Sequence, residues 1–136
     1  MRGLIFITFV VFIKIVYGIE KEQAVTDCIS ELSIAEEVKS HFRNNGEIPD
    51  ETDSKAKCLF HCVSKKIELT NEQGDIDKDK VVEYVSSKYA DLDKTKLEAV
   101  VLLCAERSET DPCEKWYEFT KCQLKAFLEY KKGTNN

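Results

Sequence analysis

The sequence predicts an all-α fold, and three observations lead to that prediction. Apolar residues recur at helical spacing along most of the chain, while the alternation typical of strands is nearly absent. Only two prolines and five glycines interrupt the 136 residues. Six cysteines in so short a chain indicate a small domain held together by disulfides. Together these features predict about six helices braced by three disulfides.

The start of the chain has the layout of a secretory signal peptide. Arg2 precedes a short apolar run from Leu4 to Ile13, and small residues follow. The run is shorter than the roughly 20 apolar residues that span a membrane, and Lys14 interrupts it. We therefore assign residues 1–18 to a signal peptide and residues 19–136 to one secreted, extracellular domain.

Capping residues and breakers predict the first three helices. A first helix covers about 21–31. Ser33, followed by Glu36 three residues later, forms a capping box for a second helix, which ends near Gly46. A third helix covers about 54–67.

Two further helices follow a turn-rich connection. The pattern of valines and tyrosines predicts a fourth helix over 77–89. A fifth helix over 93–108 is capped by Asp93. It is apolar on almost every side from Val100 to Ala105, so we expect it to run through the interior.

The last helix has the clearest start. Asp111 caps it, Pro112 takes the first helical position and Glu114 closes a capping box. The helix is expected to run to about Lys132. Its apolar stripe contains Cys113, Tyr117, Thr120, Leu124 and Phe127, and Trp116 and Phe119 flank that stripe.

All six cysteines follow the predicted signal peptide, so they belong to an oxidising compartment. Cys58 and Cys62 are four residues apart and project from one helix face, which is poor geometry for bonding each other. Cys113 and Cys122 lie about 13.5 Å apart along the last helix and cannot pair either. Each must bond another element, and several connectivities remain open.

The beginning of a calcium loop is present, but the loop is incomplete. Asp75, Asp77 and Asp79 take the first, third and fifth positions. Lys80 stands where the loop needs glycine, and Ser86 stands where it needs glutamate. We expect no metal here and assign the acids to the positive end of the fourth helix.

His61 lies between two cysteines and could be a metal ligand or a pH sensor. Disulfide bonding removes the neighbouring thiolates, and His41 lies in a different predicted helix. We expect His61 to be a surface or partly buried histidine with no metal, and a modest role in a pH response stays open.

Enzymes and nucleic-acid binders are disfavoured. The chain has no Gly-x-Ser-x-Gly elbow and no His-Glu-x-x-His helix. A formal net charge of −5 argues against nucleic acid, because phosphate binding needs a basic face. We expect no catalytic residue, no cofactor and no nucleic-acid partner.

The cysteine spacing, Cys-x29-Cys-x3-Cys-x41-Cys-x8-Cys-x8-Cys, resembles that of the insect odorant-binding proteins of the pheromone- and general-odorant-binding type. The "DPCE" opening of the last helix and the "LTNEQGDI" turn after the third helix also look like that family. The resemblance covers the whole mature chain. It implies about six helices around an apolar cavity, and it implies a disulfide pairing of Cys28–Cys62, Cys58–Cys113 and Cys104–Cys122.

The resemblance also implies a secreted, non-catalytic carrier of small hydrophobic ligands such as odorants or pheromones. The candidate pocket residues come from the apolar stripes of four helices: Leu59, Val63, Val82, Val85, Leu97, Val101, Trp116, Tyr117, Thr120 and Phe127. Each is by default a core residue. The hydroxyls of Tyr117 and Thr120 could orient the polar end of a ligand. A membrane receptor as a further partner, and a monomer or weak homodimer, are compatible with this reading.

Two alternatives to a ligand carrier come from other functional classes of protein. One is a secreted helical effector or signalling protein that acts through its surface without a bound ligand, whose mark would be a solid core and an exposed apolar patch. The other is a lipid-interacting module like the saposins, which are also helical and have six cysteines but space them differently.

Overall fold

A computed structural model describes residues 20–134, and the predicted signal peptide lies outside the described residues. Within that range the chain forms helices and one isolated antiparallel bridge, between Thr70 and Ile76. The helices are α1 (Lys21–Leu32), α2 (Glu36–Asn45), α3 (Ser54–Lys66), α4 (Lys78–Lys88), α5 (Lys94–Cys104) and α6 (Pro112–Thr134). The all-α prediction is confirmed. None of these helices is both long enough and apolar enough to cross a bilayer.

The core lies where α3 and α6 meet. α3 packs most extensively against α6 and also against α1, while α5 packs against both α4 and α6. Buried apolar side chains from these helices form one cluster, which Val38 of α2 and the loop residues Ile48 and Leu69 complete. This arrangement brings the apolar faces of α3, α4, α5 and α6 together.

Three disulfides join the helices. Cys28–Cys62 links α1 to α3, Cys58–Cys113 links α3 to the first turn of α6, and Cys104–Cys122 links the end of α5 to the middle of α6. These are the pairs that the resemblance implies. α3 is therefore tied covalently on two sides, whereas α6 carries no cross-link after Cys122.

Aspartates cap four of the helices. Each carboxylate accepts backbone N–H bonds from residues two or three positions ahead, with nitrogen–oxygen distances of 2.9 to 3.3 Å. Gly46 ends α2 in the left-handed conformation, with φ of 76°. The capping aspartates of α3 to α6 are Asp53, Asp77, Asp93 and Asp111.

The predicted capping box of Ser33 and Glu36 is wrong. Ser33 instead closes the end of α1, with φ of 52°, and the N–H of Ile34 donates to the carbonyl of Ile29 at 3.0 Å. A residue held in the left-handed conformation cannot also adopt the extended conformation that a helix cap requires. α2 therefore begins after Ala35, without a side-chain cap.

Glu114 has a different role from the predicted one. Its carboxylate accepts two hydrogen bonds from Nζ of Lys57, at 2.8 and 3.1 Å, and so ties the first turn of α6 to α3. The Lys57 side chain is only 11% exposed, which makes a charged partner more valuable than it would be on the surface. A contact between two helices thus replaces the predicted local cap.

α5 is shorter and more one-sided than predicted. It ends at Cys104, and its buried residues are Leu97, Val101 and Cys104, which recur at helical spacing. Leu102 and Leu103 fall on the opposite side and are 43% and 71% exposed. The expectation that this helix is buried all round is therefore wrong, because only one face meets the core.

Candidate functional site

The predicted pocket residues come together in the core. Nine of the ten belong to the apolar cluster or pack directly against it. They come from α3 (Leu59, Val63), α4 (Val82, Val85), α5 (Leu97, Val101) and α6 (Trp116, Tyr117, Phe127). Four separate helices thus converge on one apolar region. Contact of these residues with a ligand stays a prediction.

The buried face of α6 is rotated from the predicted stripe. Trp116 is 1% exposed, and its ring packs edge-on against Phe119 with centroids 5.5 Å apart. Phe127 lies on the same side, buried against the ring of Tyr89 at 4.9 Å. Trp116 and Phe119, which were predicted to flank the apolar stripe, are therefore among the most buried residues of α6.

The hydroxyl of Tyr117 is engaged within the protein. It accepts a hydrogen bond from the backbone N–H of Ile48 at 3.2 Å, and burial raises the pKa of this phenol. The ring packs against Phe60 at 5.1 Å, and Nζ of Lys57 and of Lys121 lie 5.4 and 5.3 Å from its centroid. Tyr117 thus holds a loop and anchors two cations in this structure.

Thr120, the tenth predicted residue, is partly buried on α6. Its hydroxyl donates to the carbonyl of Trp116 at 2.7 Å, one helical turn back. Both hydroxyls that were predicted to orient a ligand are thus bonded to the backbone.

Gln123 was missed by the sequence reasoning. Ser64 and Gln123 are the buried polar residues of the part of the chain that the structure describes. The Ser64 hydroxyl donates to the carbonyl of Phe60 at 2.7 Å, whereas Oε1 of Gln123 has no hydrogen-bond partner. The sequence did contain one indication that Gln123 is buried. It follows Trp116 by seven residues, which places both side chains on one helix face.

A narrow crevice opens between α5 and α6. Two predicted residues, Leu97 and Phe127, line it together with Leu92, Val100 and Tyr130. Part of the predicted region therefore borders an opening at the surface.

A wider groove of about 300 Å³ lies elsewhere, at the ends of α1, α2 and α3. Its wall includes the carboxylates of Glu37, Asp50 and Asp53 together with Ile34 and Val38. No predicted pocket residue lines it. The groove is therefore separate from the apolar region described above.

His61 lies half-buried on α3. Burial is the main cause that lowers its pKa, the positive charge of Lys65 adds to the effect, and Asp111 opposes it. Within residues 20–134, no group of three or more His, Cys, Asp and Glu side chains is placed to hold a metal ion.

The acids of the incomplete calcium loop have separate roles. Asp75 accepts from Nζ of Lys115 at 3.1 Å, which lowers the pKa of its carboxyl. Asp77 caps α4, and Asp79 lies exposed in the first turn of that helix. The chain here makes a helix start stabilised by acids near the positive end of its dipole.

The family of this chain follows from comparison with known proteins. The model of the PBP/GOBP family matches residues 20–126. The chain belongs to the PBP/GOBP family. The resemblance drawn from the cysteine spacing is thereby confirmed.

Named relatives of this PBP/GOBP protein are insect proteins. Odorant-binding protein 10 of Aedes aegypti is 34% identical over 103 residues, which cover 74% of this chain and 70% of that protein. General odorant-binding protein 57c of Drosophila melanogaster is 29% identical over 126 residues, covering 87% and 79%. A crystal structure of a medfly odorant-binding protein matches with a TM-score of 0.57 at 24% identity, covering 77% of this chain and 85% of that one. The match to the medfly structure supports the fold alone.

Proposed function

We propose that this protein is a secreted, non-catalytic carrier of a small apolar or amphipathic molecule of the odorant or pheromone kind. The observation that carries the proposal is membership of the PBP/GOBP family, whose relatives here are named odorant-binding proteins. Secretion is supported by the signal-peptide layout of residues 1–18 and by the disulfide pairing of all six cysteines.

The apolar region between α3, α4, α5 and α6 is the proposed binding site. Its side chains would supply affinity mainly by removing ligand surface from water, at about 25 cal/mol per Å² of apolar area. Opening a space there costs packing energy. Disulfides that tie α3 to α1, and α6 to both α3 and α5, can keep the domain folded while the core adjusts. A membrane receptor and a weak homodimer stay predictions.

Titration of the oxidised mature chain with N-phenylnaphthylamine tests the proposal. Trp116 is the only tryptophan and is buried among the proposed site residues, so its emission reports on the site directly. We expect saturable one-to-one binding that changes both probe and Trp116 emission, with displacement by small volatile molecules. Reduced and alkylated protein is the matched control.

Two results would contradict the carrier proposal. Absence of saturable binding by protein with a helical spectrum and three intact disulfides would favour the surface-acting effector. Binding to liposomes without binding of the probe would favour the saposin-like module.

A further inference from the structure

The apolar core contains an amide oxygen for which the fold supplies no hydrogen-bond partner. Gln123 is 8% exposed, and its Oε1 is buried without a hydrogen bond. An unpaired buried acceptor costs free energy, because it loses its bond to water and gains none in the protein. Ser64, the comparable buried residue, satisfies its hydroxyl within its own helix. Among the described residues, Oε1 of Gln123 is one of four buried side-chain polar atoms without a hydrogen bond, and it shares the buried face of α6 with another of them, Nε1 of Trp116.

We propose that Gln123 is the polar contact of the ligand site and that it selects neutral amphiphiles carrying a hydroxyl group. This inference rests on the proposed carrier function. The ligand hydroxyl donates to Oε1 of Gln123, while its alkyl chain lies against the apolar side chains on the same face of α6.

The placement of Gln123 fits such a contact. It follows Trp116 by two helical turns and precedes Phe127 by about one turn, so all three share a face. Trp116 and Phe127 are 1% and 4% exposed. The Gln123 amide and the unpaired Nε1 of Trp116 are thus isolated polar points in an apolar wall, which is the arrangement that orients an amphipathic ligand.

The chemistry of Oε1 narrows the ligand class. Oε1 needs a donor, so an ether or ester could bond only to Nε2 of this amide and would leave Oε1 unpaired, and a hydrocarbon would leave both atoms without a bond from the ligand. An ammonium group would lose its hydration on burial, and a carboxylate would present a negative charge to a carbonyl oxygen. A hydroxyl is a neutral donor with little polar surface to desolvate.

A ligand reaches Gln123 through the C-terminal part of α6, which no disulfide ties to another helix. The last cross-link on this helix is at Cys122, and the segment 123–134 carries none. Phe127, about one turn beyond Gln123, already lines the crevice between α5 and α6. Movement of this segment away from α5 widens the crevice towards Gln123 without breaking a disulfide.

The test compares two linear ligands of the same size, n-decanol and nonyl methyl ether, by displacement of N-phenylnaphthylamine from the oxidised mature chain. The ether keeps the oxygen but cannot donate. We expect decanol to bind about tenfold more tightly, which is the difference of one good hydrogen bond.

Variants of Gln123 test whether this residue causes the preference for decanol over the ether. In Gln123→Leu the alcohol-to-ether ratio should fall to about one, and the ligand-free protein should unfold at a higher temperature, because an unpaired polar group has been removed. Ser64→Ala is the matched control, since it removes the other buried polar side chain, and it should keep the preference. Gln123→Met serves the same purpose as the leucine variant if that variant fails to fold.

The outcomes separate this inference from the function on which it rests. Equal binding of decanol and ether by the wild-type protein overturns the hydroxyl selectivity and leaves the carrier function intact. A preference that survives in Gln123→Leu or Gln123→Met overturns the assignment to Gln123. If neither ligand displaces the probe and the probe itself does not bind, the carrier function fails as well.

Discussion

The hydroxyl of Tyr117 accepts a hydrogen bond from the backbone N–H of Ile48 at 3.2 Å, across 69 residues of sequence. Ile48 lies in the loop between α2 and α3 and is 2% exposed, so its N–H has no access to water. Tyr117 itself is fully buried. This bond fastens the loop to α6 and satisfies a donor that would otherwise be buried without a partner.

Replacing Tyr117 by phenylalanine should destabilise the protein and leave ligand selectivity in place. Tyr117→Phe removes the acceptor of the Ile48 N–H, and a buried donor without a hydrogen bond costs about 1–3 kcal/mol. Urea unfolding followed by circular dichroism measures the loss. The decanol-to-ether ratio should not change, because the Tyr117 hydroxyl is already bonded within the fold.

Tyr84 provides the control for this measurement. Its hydroxyl is also buried but has no hydrogen-bond partner, and burial is the main cause that raises the pKa of Tyr84 to about 12. Tyr84→Phe should therefore be neutral or slightly stabilising. Equal losses in Tyr84→Phe and Tyr117→Phe would show that the bond to Ile48 does not account for the effect.

The two sides of α5 should respond differently to substitution. Leu97 is 2% exposed, and Leu97→Ala should cost about 2–5 kcal/mol because it leaves a cavity in the core. Leu103 is 71% exposed, and Leu103→Gln should change stability by no more than about 0.5 kcal/mol. Thermal unfolding of both variants gives the comparison, and a large loss in Leu103→Gln would mean that this leucine is covered in solution.

The helices were predictable because their starting signals are local. An aspartate cap bonds to N–H groups two or three residues ahead, so Asp53, Asp93 and Asp111 mark helix starts without reference to the rest of the fold. Ser33 shows where this reasoning fails. It has the right neighbours for a cap, but the chain uses it to close the preceding helix.

Features that depend on contacts between helices could not be predicted from local patterns. Helix geometry excluded bonds within one helix, such as Cys58–Cys62, but the partners came only from the family resemblance. At its C-terminal end, over residues 100–104, α5 is as apolar on its exposed side as on its buried side, so periodicity did not distinguish Leu102 and Leu103 from core residues. For Gln123, no local rule indicates whether a buried amide finds a partner.

The disulfides should differ in how much they stabilise the domain. Cys58–Cys113 closes a loop with a sequence separation of 55, and Cys104–Cys122 one of 18. In the chain-entropy account the longer loop restricts the unfolded chain more, so losing the first bridge should cost roughly 1 kcal/mol more than losing the second. Urea unfolding of the variants C58A/C113A and C104A/C122A tests the order, and the reverse order would contradict the entropic explanation.

Protonation of His61 should weaken the fold as the pH falls. Burial and Lys65 lower its pKa below the usual value of about 6.5, although Asp111 works against them. Above that value the imidazole is neutral in both the folded and the unfolded state, so it adds no pH dependence. Below it the unfolded chain takes up the proton more readily, and the free energy of unfolding decreases as the pH drops.

Unfolding at about pH 7.5 and about pH 5, on either side of the usual histidine range, measures this effect. The wild-type protein should lose more stability between these two values than His61→Gln does. The difference should be small, because His61 is only partly buried and solvent screens its charge. His41→Gln is the matched control because it changes the other histidine. An identical loss in the wild type and His61→Gln would show that the acid sensitivity comes from the carboxylates.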